Sequence, residues 1–343
     1  MRQLLNTLYV TLPDVYLGLQ GENIVIRKDD NIVKRFPLHN LEAVVLFTYL
    51  GVSPALLKKC IELGVAVSYM TPNGRLIARM QGKSTGNILL RRRQYRIADN
   101  EVQSLDLMKN VILAKIHNEK WTIERYVRQY KERIAAGKLS RGSFDLTEML
   151  HKIKSVETME ILRGFEGSAQ ATYFSVFDEM ILNQKLDFIF GVRSRRPPLT
   201  NVNALLSFLY SVLGNDIASS LEAVGLDAYA GFMHVDRPGR ISLALDLLEE
   251  LRAPLVDRFV LSLINRKIVN KGDFTEEDSG AVILNDKGRR NVLSSWQERK
   301  KEKITHPYLR VSIPWGLVPF VQSMLLARYL RGDLDGYPPF FWK

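Results

Sequence analysis

The chain has 343 residues, with 46% hydrophobic and 25% charged, a balance that can bury one large or two ordinary domains and excludes intrinsic disorder. The single cysteine, Cys60, excludes an internal disulfide and a thiolate metal cluster, so any metal site must use carboxylate, imidazole and water. The net charge of +11 favours a polyanionic partner, of which nucleic acid is the commonest, although many basic proteins bind none.

Residues Met1 to Asn6 lack the apolar core of a signal peptide. No uninterrupted apolar run approaches the roughly 18–20 residues of a membrane span. The longest candidate, Trp315 to Leu330, is broken by Pro319, Gln322 and Arg328. The expectation is a soluble, cytoplasmic chain with no membrane partner.

The first 80 or so residues read as β. Leu8 to Thr11 and Asn23 to Arg27 are β-branched runs, and Ile32 to Phe36 follows the polar turn Lys28-Asp29-Asp30-Asn31, the pattern of a hairpin. Leu41 to Thr48 and Val65 to Met70 are further strands. Between them Ser53-Pro54 opens a short helix, with serine as cap and proline in the first turn. Thr71-Pro72-Asn73-Gly74 is a turn.

The texture changes after Gly82. Apolar residues recur at three and four from Leu89 to Ala136, and again in Met149 to Glu160, Gly167 to Leu186, Val202 to Leu213, Ile241 to Arg252 and Leu255 to Val269, as in amphipathic helices. Residues 271–290 are polar and contain glycine, as in a loop or small hairpin. The expected fold class is α+β: a small β-rich N-terminal domain (1–82), a hinge (83–90) where Gly82, Ser84, Thr85, Gly86 and Asn87 cluster, and a large all-helical domain (91–343).

Of the five histidines, His234 stands out. It follows the apolar entry Gly231-Phe232-Met233, and a turn, Asp236 to Arg240, separates it from a helix carrying Asp246, Glu249 and Glu250. Spacings of three and four put these carboxylates on one helical face, which taken alone reads as a solvated acidic stripe. With a loop histidine just upstream, the same stripe could complete an imidazole–carboxylate site suited to magnesium or manganese. Glu166 lies among the small residues of Gly164-Phe165-Glu166-Gly167-Ser168-Ala169, which read equally well as a close helix–helix contact.

Basic residues cluster at Arg91-Arg92-Arg93, Arg193-Ser194-Arg195-Arg196, Lys287-Gly288-Arg289-Arg290 and Arg299-Lys300-Lys301. Each could be a solvated surface. Four in a +11 chain favour a face that tracks DNA phosphates without reading sequence. No P-loop, dinucleotide fingerprint, zinc finger or nucleophile elbow is present.

Taken together these residues resemble the universal CRISPR-associated spacer-acquisition integrase family. The resemblance rests on Glu166-Gly167-Ser168-Ala169 with Tyr173-Phe174, on Pro197-Pro198 followed by Asn203-Ala204-Leu205-Leu206-Ser207, on Gly225-Leu226-Asp227 with Gly231-Phe232-Met233-His234, and on Ser242 to Arg252. Each motif is weak alone; four in order and spacing are specific, and they span essentially the whole chain. Ala228, where many relatives have proline, and Gln170, where a small residue is common, depart from the pattern. The Pro-Pro-Phe tail is similar to the branch found with type I systems.

The resemblance implies a metal held by Glu166, His234 and Glu249, with Asp246 supporting the site from nearby. It implies insertion of short DNA fragments into a CRISPR array by attack of a 3′-hydroxyl on a phosphodiester, and nicking of DNA when water replaces that hydroxyl. It also implies a homodimer formed through the β domain. Two such dimers would flank a dimer of the second-numbered, ferredoxin-like CRISPR protein as a heterohexamer. Two other readings stay open: a stand-alone structure-specific nuclease in repair, and a non-enzymatic DNA scaffold.

Overall fold

Short β-branched segments separated by turn residues build two sheets from the N-terminal region. The structure, a computed structural model, describes residues 6–29, 31–80, 82, 88–130, 132 and 135–343. The chain runs β1 (Asn6–Val10), β2 (Tyr16–Gln20), β3 (Asn23–Lys28), β4 (Asn31–Pro37), β5 (Leu41–Leu46), α1 (Pro54–Leu63), β6 (Ala66–Met70) and β7 (Leu76–Arg79). The hairpin read from the sequence is β3–β4, paired Ile24 to Phe36, and β2 extends it to an antiparallel three-stranded sheet. The other sheet has the order β1-β5-β6-β7. In it β1, β5 and β6 run parallel, an arrangement that periodicity alone cannot reveal. Parallel neighbours need a crossover, and α1 supplies it between β5 and β6. Its cap is as expected: Ser53 Oγ accepts from Leu56 N–H at 3.2 Å, and Gly64 closes the helix at φ 70°.

A small core of Leu17, Ile24, Leu46, Leu56, Cys60 and Val67 fills the N-terminal region. From the same strands and the segments that follow them, Val45, Phe47 and Met70 join the large hydrophobic cluster of the helices, where Phe47 stacks on Phe208 with ring centroids 6.2 Å apart.

The rest of the chain is mostly helical: α2 (Ile88–Ala98), α3 (Glu101–Tyr130), α4 (Ala136–Ile153), α5 (Met159–Ser175), α6 (Asn201–Ala223), α7 (Ser242–Leu251), α8 (Arg258–Asn265), α9 (Asp286–Lys301) and α10 (Val318–Arg331). It is not all-helical. Residues 271–290 hold the hairpin of β8 (Phe274–Glu276) and β9 (Val282–Leu284), and β10 (Lys303–Thr305) pairs with β11 (Ser312–Pro314). The long run expected from Leu89 divides at Asp99-Asn100, where Asn100 Oδ1 accepts from Gln103 N–H at 3.0 Å as a cap does. The helix expected over Met149 to Glu160 straddles a break, because Thr158 caps α5 by accepting from Ile161 N–H. The helix expected over Gly167 to Leu186 already ends at Ser175.

Among the described residues, α6 rather than Trp315 to Leu330 is the helix long and apolar enough to cross a membrane. Most of it is buried inside the fold, as in a core helix. Of the expected hinge, Ser84, Thr85, Gly86 and Asn87 lie outside the described residues, and from Ile88 the chain is already α2.

Polar contacts join the parallel sheet to the helices. Lys300 of α9, 4% exposed, donates to Thr7 Oγ1 (3.2 Å), Glu42 Oε1 (3.1 Å) and Asp216 Oδ2 (3.3 Å), and so links β1, β5 and α6. Asn215 donates to Ser68 Oγ at 3.1 Å, and Arg289 to the Pro72 carbonyl at 2.8 Å.

Candidate active site

Helix α7 is buried at every residue but the half-buried Leu245, enclosed by α3, α6 and the π-helical segment Arg252–Asp257 that continues it. The acidic stripe of Asp246, Glu249 and Glu250 is therefore not a solvated face, and each carboxylate has its own partners.

Asp246, 1% exposed, turns back to the loop before α7. Its Oδ2 accepts from the N–H groups of Phe232 (2.6 Å) and Met233 (3.2 Å), and its Oδ1 from His234 N–H (3.0 Å). Oδ1 also meets His234 Nδ1 at 2.7 Å. The carboxylate thus shapes the loop and fixes the imidazole, leaving Nε2 as the nitrogen for a ligand. Gly231 lets the loop pass this close: a Cβ there would sit 2.8 Å from Ser242 Cβ and 2.9 Å from Asp246 Oδ2.

Glu250 faces the opposite way, toward the C-terminal segment. Tyr337 Oη (2.5 Å) and Gln322 Nε2 (2.9 Å) donate to its Oε1, and Phe340 N–H (2.8 Å) to its Oε2. Asn118 of α3 bonds the Glu250 and Phe340 carbonyls and accepts from Trp342 N–H, each at 2.8 Å.

Glu249 points between α3 and α5. Arg252 Nη1 donates to both its oxygens at 3.1 Å, and Lys115 Nζ of α3 lies 2.6 Å from Oε2. Burial pushes this carboxyl's pKa up, but Arg252, Lys115 and His234 together outweigh burial and hold it below the usual carboxylate range. Lys115 Nζ also contacts Glu166 Oε1 of α5. Glu166 and Glu249, 83 residues apart in sequence (249 less 166), therefore meet around one ammonium whose side chain is 1% exposed. Gln170 Oε1 accepts from Lys115 and Arg252 at 3.3 Å each, so this departure from the family pattern touches the two cations and not the proposed ligands.

Of the small residues around Glu166, Ala169 is fully buried in the helical core, whereas Gly164 and Gly167 serve no helix contact. A Cβ on Gly164 or Gly167 would meet nothing within 4 Å, so α5 presents an open approach beside Glu166. Arg163 of the same helix ties that approach to the histidine loop, donating to the Met233 carbonyl at 2.6 Å.

Two carboxylates and an imidazole oriented by a third carboxylate are a donor set suited to magnesium or manganese, and a buried positive charge already sits between the two carboxylates. The residues fit such a cation in chemistry. Among the described residues, however, no three His, Cys, Asp or Glu side chains converge closely enough to hold an ion, and Lys115 sits between the two carboxylates.

The basic residues divide into two groups. Arg92, Arg93, Arg195, Arg196 and Arg290 are exposed. Arg91 Nε donates to the Gly225 carbonyl at 3.2 Å. Arg193 is committed inside the fold, donating to Asn203 Oδ1 (2.9 Å) and Ser207 Oγ (3.0 Å) with its guanidinium over the Tyr210 ring. Arg289 is buried against Pro72, Asp286 and Phe47.

Lys115 and the role of Arg252 escaped the sequence reading. The signal for Lys115 was its phase: with Asn118, Glu119 and Thr122 it lies on the buried side of α3, among Ile112, Ile116 and Ile123. Polar residues in core phase on a long helix mark a site or a buried network.

Residues 8–298 match the family model described as CRISPR associated protein Cas1. The chain is 46% identical over 343 residues to a CRISPR-associated endonuclease Cas1 of Chlorobaculum tepidum, and 46% identical over 347 residues to one of Rhodospirillum rubrum, covering the whole of each chain in both cases. Among solved structures, a casposase bound to integration product superposes with a TM-score of 0.84 at 22% identity, over 99% of this chain and 95% of that one. A Cas1 protein from Thermotoga maritima superposes with a TM-score of 0.81 at 20% identity, over 98% and 100%. The chain belongs to the Cas1 family of CRISPR-associated proteins.

Proposed function

We propose that this chain is a metal-dependent DNA integrase and endonuclease of CRISPR adaptation, which inserts short DNA spacers into the CRISPR array by transesterification. The observation that carries the reading is the meeting of Glu166 and Glu249, from separate helices, around a buried positive charge, with His234 held by Asp246 on the same helix as Glu249. The names of the relatives, CRISPR-associated endonuclease Cas1, support it.

Glu166, Glu249 and His234 Nε2 would hold magnesium or manganese, which supplies Lewis acidity and charge compensation at a scissile phosphodiester. Asp246 keeps the imidazole in the tautomer that leaves Nε2 free. Arg252 and Lys115 keep Glu249 ionised. The open flank of α5 at Gly164 and Gly167 admits the DNA. A 3′-hydroxyl placed there attacks the phosphodiester in strand transfer, forming a new P–O bond as the target strand's own P–O bond breaks and its strand oxygen leaves as a hydroxyl; water in its place gives nicking.

The DNA substrates are the spacer fragment and the CRISPR repeat, contacted by exposed arginines such as Arg92, Arg93, Arg195, Arg196 and Arg290, and the protein acts in the cytoplasm. The assembly is a homodimer through the β region, where Ile32 and Val33 stand exposed on β4 at the edge of its sheet. With the ferredoxin-like second adaptation protein it forms a heterohexamer.

The test is strand transfer from a labelled DNA with a free 3′-hydroxyl into a repeat-bearing plasmid. Glu166→Ala, His234→Ala and Glu249→Ala should each abolish joining while DNA binding persists; full activity in any of the three sinks the site. Nicking without joining in the wild type, with the partner protein present, would favour the stand-alone nuclease.

A further inference from the structure

We propose that Lys115 is a built-in counter-ion for the Glu166–Glu249 pair, and that loading a divalent cation is an exchange in which its ammonium moves to Glu119. The inference rests on the metal reading above. Lys115 Nζ already contacts Glu166 Oε1, Glu249 Oε2 and Gln170 Oε1, and the two carboxylates are those that would hold the cation. An ammonium and a dication cannot share them. A displaced ammonium stays deep in the fold, and a buried charge must find a new partner.

Glu119 is that partner. It lies four residues along α3 on the same face, is 3% exposed, and its Oε2 has no hydrogen-bond partner among the described residues. The helix thus carries one cation between two stations: the Glu166–Glu249 pair, which holds it here, and a buried carboxyl oxygen left unsatisfied. Gln170 guards the first station, and through its bond from Arg252 it stays anchored when Lys115 leaves.

The test measures Mn2+ binding to the purified full chain without DNA, by calorimetry and by the paramagnetic resonance of free Mn2+, in the wild type, Lys115→Met, Glu119→Gln and the double variant. Removing the competitor should tighten Mn2+ binding roughly ten- to a hundredfold, the range of coupling between neighbouring groups. Glu119→Gln should weaken binding by a similar factor, and should have no effect in the Lys115→Met background, since no ammonium then needs the second station. Equal Mn2+ affinity in Lys115→Met and wild type overturns the exchange. So do strictly additive effects in the double variant, which a simple change of local charge would produce. If Lys115→Met does not fold without metal, Glu119→Gln decides alone, and unchanged affinity there is refutation. Wild type that binds no Mn2+, or binds it as well after Glu166→Gln and His234→Ala, brings down the metal reading and the exchange together. Loss in those two variants with no gain in Lys115→Met brings down the exchange only.

Discussion

His234 Nδ1 and Asp246 Oδ1 lie 2.7 Å apart, and the same carboxylate accepts three backbone N–H groups from the loop that carries the histidine. One buried side chain therefore sets both the path of the loop and the tautomer of the ring. Asp246→Asn keeps an oxygen for the loop, but its amide donates where the ring now donates, so the proton moves to Nε2. Metal affinity and strand transfer should fall about 10- to 100-fold, the usual cost of losing a ligand's orienting partner, with DNA binding retained. Calorimetry with Mn2+ alongside a strand-transfer assay reads both. Asp246→Ala should instead lower stability by roughly 1–3 kcal/mol or more, since buried donors lose their acceptor.

The loop's close passage makes Gly231 a second point of attack. In Gly231→Ala the new methyl group meets Ser242 Cβ at 2.8 Å, Asp246 Oδ2 at 2.9 Å and the Ser242 backbone carbonyl carbon at 2.9 Å, all on buried residues. Overpacking of this kind costs about 1–3 kcal/mol. Urea unfolding should register the loss, and strand transfer should fall further than stability alone explains because His234 moves with the loop.

Arg193 and its neighbours in the 193–198 loop should behave differently. Arg195→Ala and Arg196→Ala remove exposed charges, so each that touches a phosphate should lower the slope of log affinity against log salt by about 1 with little change in stability. Arg193→Ala removes a guanidinium bonded to Asn203 and Ser207, so it should destabilise the fold by about 1–3 kcal/mol. Salt-dependent DNA binding and thermal unfolding on the same three variants separate the roles.

His117 gives a pH signature away from the carboxylates of the candidate site. Burial, then the charges of Lys120 and Lys343, pushes its pKa down to about 4 from an ordinary 6.5. Above pH 6.5 neither the folded nor the unfolded state holds this proton. Between 6.5 and 4 the unfolded state binds it and the folded state does not, so stability falls as pH falls through that window and levels off below 4. In His117→Phe that component should vanish. Stability measured in urea at pH 7.5, 6 and 5 should therefore decline less steeply in the variant than in the wild type.

Much of the architecture was legible because it is local. The β3–β4 hairpin announced itself through alternation about Lys28 to Asn31, and α1 through Ser53-Pro54. The parallel pairing of β1, β5 and β6 was not legible, since nothing within a strand encodes which distant strand it joins. The break at Thr158 was missed because apolar periodicity runs through it, and only the capping hydroxyl marks it. At the site, spacing put Asp246, Glu249 and Glu250 on one face but could not say whether that face met water. Their burial depends on α3, α6 and the C-terminal segment arriving from elsewhere. Lys115 stayed hidden for the same reason: a lysine in a long helix looks solvated until α5 and α7 close over it.

The contacts of Glu250 bear on when this enzyme can come into being. Three hydrogen bonds to this carboxylate, next in the chain to Glu249, come from Gln322, Tyr337 and Phe340, and Asn118 of α3 fastens Phe340 and Trp342 into the same layer. A nascent chain has made every residue of the candidate site once His234 and Glu249 are translated, yet their support is incomplete until residue 342 has cleared the ribosome. Chains that stop before Gln322 therefore carry the whole set of site residues without the layer that holds α7 in place.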